Sequence, residues 1–231
     1  MNIAIIPARG GSKRIPRKNI KEFCGKPMIA YAITAAKESG LFDHVIVSTE
    51  DMEIARVANL WGAETPFVRP FELANDYTAT VPVVAHAIET CYGLGWAFNY
   101  VCCIYPGVPL IKVDDLIGAL DCLMVNEADY CFPIAEYPSS IQCALKLLSN
   151  GKTQSFNPEH ELKRTQDLEI AYYDVGQFYW GKPMTWIKNP NIHNGGLGYV
   201  IPKWRVVDID TPDDWRHAEI IYRGILATQK F

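Results

Sequence analysis

Apolar residues recur along this chain in two rhythms, one of period two and one of period three to four. Asn2–Ile6 is a short apolar run closed by Pro7, which predicts a buried strand. Met28, Ile29, Ala32, Ile33 and Ala36 then recur at helical spacing, with Gly40 as the stop. His44–Ser48 predicts a second strand, and Ile54, Val57, Ala58 and Trp61 mark the next helix, closed by Gly62. The same alternation continues with a short strand at Phe67–Val68 and a helix through Val84, Ala85 and Ile88. Next come a strand at Tyr100–Tyr105, a helix through Leu116, Ile117, Leu120, Leu123 and Met124, and a strand at Tyr130–Ile134. Repeated strand–helix units of this length imply an α/β fold with a mainly parallel sheet and helices on both faces.

Beyond Ala135 the rhythm changes. Ala144–Leu148 and Thr153–Phe156 flank Asn150-Gly151, a pair that favours a two-residue primed hairpin turn. Residues 157–169 are polar and predict a loop or arm, Ala171–Trp180 is aromatic-rich, and Leu197–Ile201 and Arg205–Ile209 read as strands. Thr211-Pro212-Asp213-Asp214 predicts a helix start: a capping hydroxyl, a proline for the first turn and two acids for the positive end of the dipole. With no repeat or linker, the expectation is one domain over 1–231 with an excursion at about 137–190.

Composition narrows the possible functions. The 231 residues carry 22 basic and 26 acidic side chains, a net charge of −4. Residues 1–26 hold seven basic side chains against Glu22 alone, a local +6, which leaves −10 for the rest. An acidic body with one basic segment suits a pocket for a small anion rather than a nucleic-acid surface. No apolar run is long enough to span a membrane, and residues 2–7 are too short for a secretory signal, so a cytoplasmic location is expected. Seven cysteines without metal-binding spacing read as small apolar residues in a reduced core.

Two segments carry chemistry. Pro7-Ala8-Arg9-Gly10-Gly11-Ser12-Lys13-Arg14 follows the first strand, where open parallel sheets bind ligands. Its glycines let backbone approach a phosphate and its amides can form an anion nest, while Arg9, Lys13 and Lys18 bring charge to a polyphosphate. Arg14, Arg17 and Lys21 read as solvated charges. The spacing matches neither a dinucleotide fingerprint nor a P-loop. In the second segment, Asp208-Ile209-Asp210, two carboxylates on one side of a strand suit a hard divalent cation that keeps waters and touches phosphates. A basic loop with an acidic pair points to chemistry at a nucleotide phosphate.

The stretch IPARGGSKRIPRKNIKEFCGKPMI resembles the opening of the CMP-sialic acid synthetase (acylneuraminate cytidylyltransferase) family. Phe67-Val68-Arg69-Pro70, LANDYT at 73–78, SSIQ at 139–142, FNPEHELKRTQDLE at 156–169, AYYDVGQFYWGK at 171–182 and DIDTPDDW resemble its pseudaminic acid branch. The resemblance implies a Rossmann-like nucleotidyltransferase fold, dependence on Mg2+ (or Mn2+) and a homodimer formed through an inserted arm. It also implies transfer of CMP from CTP to a nine-carbon acidic sugar with release of pyrophosphate, by in-line attack of the sugar hydroxyl on the α-phosphorus. By the same resemblance, Ala8, Arg9, Gly10, Gly11, Ser12, Lys13, Lys18, Asn19, Arg69 and Thr80 would bind the nucleotide, Asp208 and Asp210 the metal, and Gln142, Tyr172, Asp174 and Gln177 the sugar.

One position departs from the family. Tyr105-Pro106-Gly107-Val108-Pro109 carries glycine where relatives have threonine, so a hydroxyl expected near the nucleotide or sugar is missing. Three alternatives stay open: activation of sialic or legionaminic acid instead, a nucleotide-sugar glycosyltransferase, and a catalytically weakened nucleotide-binding homologue.

Overall fold

The computed structural model describes residues 1–228. The chain runs through β1 (Asn2–Pro7), a small ladder of β2 (Glu22–Phe23) and β3 (Lys26–Pro27), α1 (Met28–Glu38), β4 (His44–Ser48), α2 (Met52–Leu60), α3 (Thr80–Gly93), β5 (Tyr100–Ile104), α4 (Val113–Val125) and β6 (Tyr130–Glu136). It continues through β7 (Leu145–Leu147), β8 (Thr153–Ser155), β9 (Tyr172–Asp174), β10 (Phe178–Gly181), α5 (Pro183–Lys188), β11 (Leu197–Val200) and α6 (Pro212–Thr228).

Seven strands form one sheet in the order β11-β6-β10-β5-β1-β4, with β9 beside β10 on the same edge of β6. β1 is central: it pairs in parallel with β4 (Ile3 opposite His44) and with β5 (Ile3 opposite Val101). β10 is antiparallel to both β5 and β6, so β9 and β10 oppose the five strands that share one direction. The pleat divides the core. Ala4, Ile6, Val47 and Ile104 face α1, α2 and α4, while Ile3, Ile5, Ile46 and Cys103 face α3 and α5. Each central strand is therefore apolar on both faces, which explains its unbroken hydrophobic run. α6 lies apart from these layers, closing Ile15, Phe23, Met28 and Tyr31 under Trp215.

Three local expectations are corrected. Phe67–Val68 is not a strand, because the edge of β4 is met only by a single bridge from Ile46 to Glu64. Arg205–Ile209 is not a strand either: a single 3-10 turn at Lys203–Arg205 leads into extended, unpaired chain. The turn between β7 and β8 is longer than two residues, with Leu148 bonded to Lys152 across it and only Gly151 at positive φ (79°). The start of α6 forms as expected. The Thr211 hydroxyl accepts from the Asp214 N–H at 3.2 Å and the Asp214 carboxylate accepts from the Thr211 N–H at 2.7 Å, a reciprocal cap. Among the described residues no helix is long and apolar enough to cross a membrane.

Candidate active site

A cleft of about 610 Å³ opens beyond the carboxyl ends of β1, β4 and β5. Its walls come from five distant segments: the basic loop after β1, Arg69 with the 73–80 stretch, Tyr105–Val108, Gly176, and Val207–Asp210. Of the residues proposed from sequence, Arg9, Ser12, Lys13, Lys18, Asn19, Arg69, Thr80, Asp208 and Asp210 all line it.

The loop after β1 is shaped by its neighbours. Gly10 donates its amide to Glu50 at 2.7 Å and lies so close to Asp51 that a Cβ would collide with that carboxylate. The Ala8 amide bonds Ser48 and the Ser12 amide bonds Gly10, each at 3.0 Å. The amides of Ala8, Gly10 and Ser12 are thus engaged within the protein, and the packing of Asp51 against Gly10 leaves no room there for a Cβ, while Gly11 has open space where one would project. What faces the cleft is side-chain charge. Asn19 secures the loop, donating to the Arg9 carbonyl at 2.9 Å, while its buried Oδ1 has no partner among the described residues. A buried acceptor left free beside a cleft suits a hydroxyl or ammonium donor on a ligand.

Across the cleft, the reciprocal cap of α6 also fixes the acidic segment, since Asp214 accepts from the Asp210 N–H at 3.1 Å. Lys18 binds the Ile209 carbonyl at 2.8 Å and lies 3.5 Å from Asp210, while Arg14 pairs with Asp210 at 2.9 Å. Arg14 is therefore not a free solvated charge. Nor are Arg17, which pairs with Asp51 and Glu53, and Lys21, which sits 4.7 Å above the Trp215 ring. Desolvation, then the charge of Asp210, pushes the Asp208 carboxyl above its ordinary range. Among the described residues no cluster of three or more metal-ligating side chains occurs. Two adjacent carboxylates fit a hard cation that draws its other ligands from water and phosphate.

Arg69 is 4 % exposed and held at the end of β4 by the Ser48 hydroxyl at 3.1 Å and the Ser48 carbonyl. Burial lowers its pKa, but guanidinium stays charged, so a fixed cation looks into the cleft. Thr80, at the first turn of α3, shares a hydrogen bond of 2.6 Å with the Tyr105 hydroxyl. Gly107 has open space where a Cβ would project.

Of the residues expected at the sugar, three do not line this cleft. Gln142 belongs to the arm, donating to the Glu169 carbonyl at 3.0 Å, and Tyr172 is exposed at the start of β9. The Asp174 carboxylate is already engaged by the Gly176 amide, the Tyr179 hydroxyl and His193, each at 2.8 Å. None of the three lines the cleft: Gln142 sits in a 3-10 turn at Ile141–Cys143, and Tyr172 and Asp174 lie on β9, which pairs with the end of β6. Gln177 sits next to the cleft-lining Gly176, buried, with its Oε1 unpartnered among the described residues.

Sequence reasoning missed Asp76, Tyr105 and Glu50. Asp76 meets Arg9 at 2.8 Å and Lys13 at 2.5 Å, and Lys13 first and Arg9 second hold its carboxyl below the ordinary range. The LANDYT segment was visible, but nothing local marks its aspartate as the partner of a loop some sixty residues earlier.

Known proteins resemble this chain throughout its length. Residues 3–187 match the family model described as Cytidylyltransferase. A pseudaminic acid cytidylyltransferase of Campylobacter jejuni is 42% identical over 223 residues, 96% of each chain. A CMP-N,N'-diacetyllegionaminic acid synthase of Legionella pneumophila is 29% identical over 225 residues, 94% of each. The solved structure of a CMP:2-keto-3-deoxy-manno-octonic acid synthetase complexed with CTP superposes with a TM-score of 0.72 at 16% identity, covering 100% of this chain and 99% of that one. It shares the Rossmann-like nucleotidyltransferase fold. The chain belongs to the cytidylyltransferase family.

Proposed function

From that membership and the geometry of the cleft, we propose that the protein transfers CMP from CTP to a nine-carbon acidic sugar, pseudaminic acid, and releases pyrophosphate. One observation carries the reading: the basic loop after β1 and the pair Asp208/Asp210 face each other across one cleft, joined by Lys18 and Arg14. The choice of sugar rests on similarity to the Campylobacter jejuni enzyme.

Arg9, Lys13 and Lys18 would hold the triphosphate and neutralise charge as the bond to pyrophosphate breaks. Arg69 and Thr80 would bound the cytidine side, and Asn19 Oδ1 would accept from the nucleotide. Asp208 and Asp210 would hold Mg2+ or Mn2+, and the desolvation and like-charge repulsion at Asp208 favour a cation there. When bound, that ion would supply Lewis-acid neutralisation of phosphate oxygens and lower the pKa of a hydroxyl nearby. Of the four sugar candidates, the free Oε1 of buried Gln177 suits a ligand hydroxyl best, whereas Asp174 acts by holding Tyr179.

We further read 1–231 as one domain with a cytoplasmic location, whose excursion at 137–190 meets a second copy. Leu145, Leu147, Phe156 and Leu162 are exposed along it, more apolar surface than an isolated arm keeps in water. The reading is tested by following pyrophosphate release with Mg2+, CTP and a panel of pseudaminic, legionaminic and sialic acids. Turnover with pseudaminic acid above the others is expected. Preference for another acid would move the substrate, and CTP binding without turnover on any acid would leave a nucleotide-binding protein.

A further inference from the structure

The two cations that the preceding reading assigns to the triphosphate are joined to the same carboxylate. Arg9 Nη1 lies 2.8 Å from Asp76 Oδ1, and Lys13 Nζ lies 2.5 Å from Asp76 Oδ2. All three side chains line the cleft, so the pairs stand where a polyphosphate would lie. The carboxylate is not needed to shape its own loop. Asn75 does that, accepting from the amides of Tyr77 at 2.8 Å and Thr78 at 2.9 Å and donating to the Glu72 carbonyl at 2.7 Å. Thr78 Oγ1 reaches the same carbonyl at 3.3 Å. Nor does Asp76 fix the basic loop, which Glu50 and Asn19 hold through its backbone.

We infer that Asp76 is a specificity-determining counter-ion, an internal competitor for the two phosphates that leave as pyrophosphate. Resting on the nucleotide-site reading, the inference adds a role for a residue outside the phosphate-binding set. A ligand must displace Asp76 from Arg9 and Lys13 to occupy them. CTP does so with several charged oxygens at once, and the carboxylate returns to both cations as pyrophosphate departs. CMP, which lacks those two phosphates, does not enter the exchange. Asp76 is ionised in the neutral range, as a carboxylate is, and Lys13 and Arg9 hold its pKa below the ordinary range. The pairs are partly exposed, Lys13 by 80% and Asp76 by 33%, so they are readily exchanged rather than locked. Exposed ion pairs have modest energies, which sets the expected effect at about threefold to tenfold.

The test is calorimetric binding of pyrophosphate, CTP and CMP, each with Mg2+, to the wild-type protein and to Asp76→Asn, Asp76→Ser and Asp76→Glu. Pyrophosphate and CTP are expected to bind the Asn and Ser variants about threefold to tenfold more tightly, with CMP changed less than about twofold. Steady-state rates should then split, KM for CTP falling and kcat falling with it as pyrophosphate leaves more slowly. Asp76→Glu should restore wild-type behaviour. The inference is overturned if the Asn or Ser variant melts like the wild type and binds pyrophosphate no more tightly, or binds all three ligands more weakly. Wild-type protein that fails to bind CTP, or binds it equally well after Lys13→Ala, would refute the nucleotide site itself and the counter-ion with it. Loss of folding in one neutral variant leaves the other to decide.

Discussion

Two acid–base clusters in this molecule use the same side-chain types in opposite ways. Arg205 and Asp115 form a two-pronged pair, at 2.5 and 2.7 Å, whose side chains are 7% and 8% exposed. It ties α4 to the turn that leads into Asp208. At the mouth of the cleft, Arg9, Lys13 and Asp76 form pairs of similar length that stay open to solvent. Water decides the difference. A desolvated pair has no replacement partner, so it locks a backbone in place. An exposed pair exchanges cheaply with any competing ion. The buried pair is architecture for the acidic segment, and the exposed pairs are free to exchange with a competing ion.

The largest effect should come from breaking the buried pair. Asp115→Ala leaves Arg205 charged without a partner, and urea unfolding should show a loss of about 3–5 kcal/mol. Replacing both residues with apolar ones of similar volume should recover most of that loss. Asp76→Ala, by contrast, should leave the melting temperature unchanged, and equal losses at the two sites would break the comparison.

Asp208→Asn should lower kcat for pyrophosphate release by about 10²–10³, the scale for removing one electrostatic group from a transition state. Its effect on stability has the opposite sign. A carboxyl whose folded pKa is raised binds more protons folded than unfolded above its ordinary range, so it costs stability as pH rises through that window. Asp208→Asn should therefore melt slightly higher than wild type at pH 7, with the gap closing on acidification. A lower melting temperature at pH 7 would contradict the strain described for Asp208.

Glu50→Ala should have a smaller effect. Removing the acceptor of the Gly10 amide should lower stability by about 1–3 kcal/mol and raise KM for CTP more than it changes kcat. The smallest change is expected at Gly107→Thr. The space there is open, so melting should not move, and one added hydroxyl should raise turnover by no more than about tenfold. A fall in turnover would show that the glycine is fitted to this protein's own sugar.

How much of this was legible from sequence depended on how local the determining contacts are. The strand–helix rhythm, the basic loop and the cap of α6 could be read because each depends on neighbours within a few residues. Tyr172 and Asp174 are placed by the pairing of β9 with β6, a choice of edge that no local pattern encodes. The antiparallel direction of β10 was hidden for the same reason, since period-two apolar residues look alike whichever way a strand runs. Asp76 could not be distinguished from an ordinary loop acid.

The sequence by itself determined the central strands of the sheet, the long helices and the cap of α6, and that a concentrated positive charge follows the first strand. Those properties come from periodicity and backbone propensity, which act over one or two turns of chain. Only the tertiary structure decided which charges meet: Arg9 and Lys13 with Asp76, Arg14 and Lys18 with Asp210, Arg205 with Asp115. Coulombic attraction has no sequence preference of its own, so its partners are fixed by the packing of the sheet. That packing also decides which pairs water can reach, and so which of them hold the fold and which can yield to a ligand.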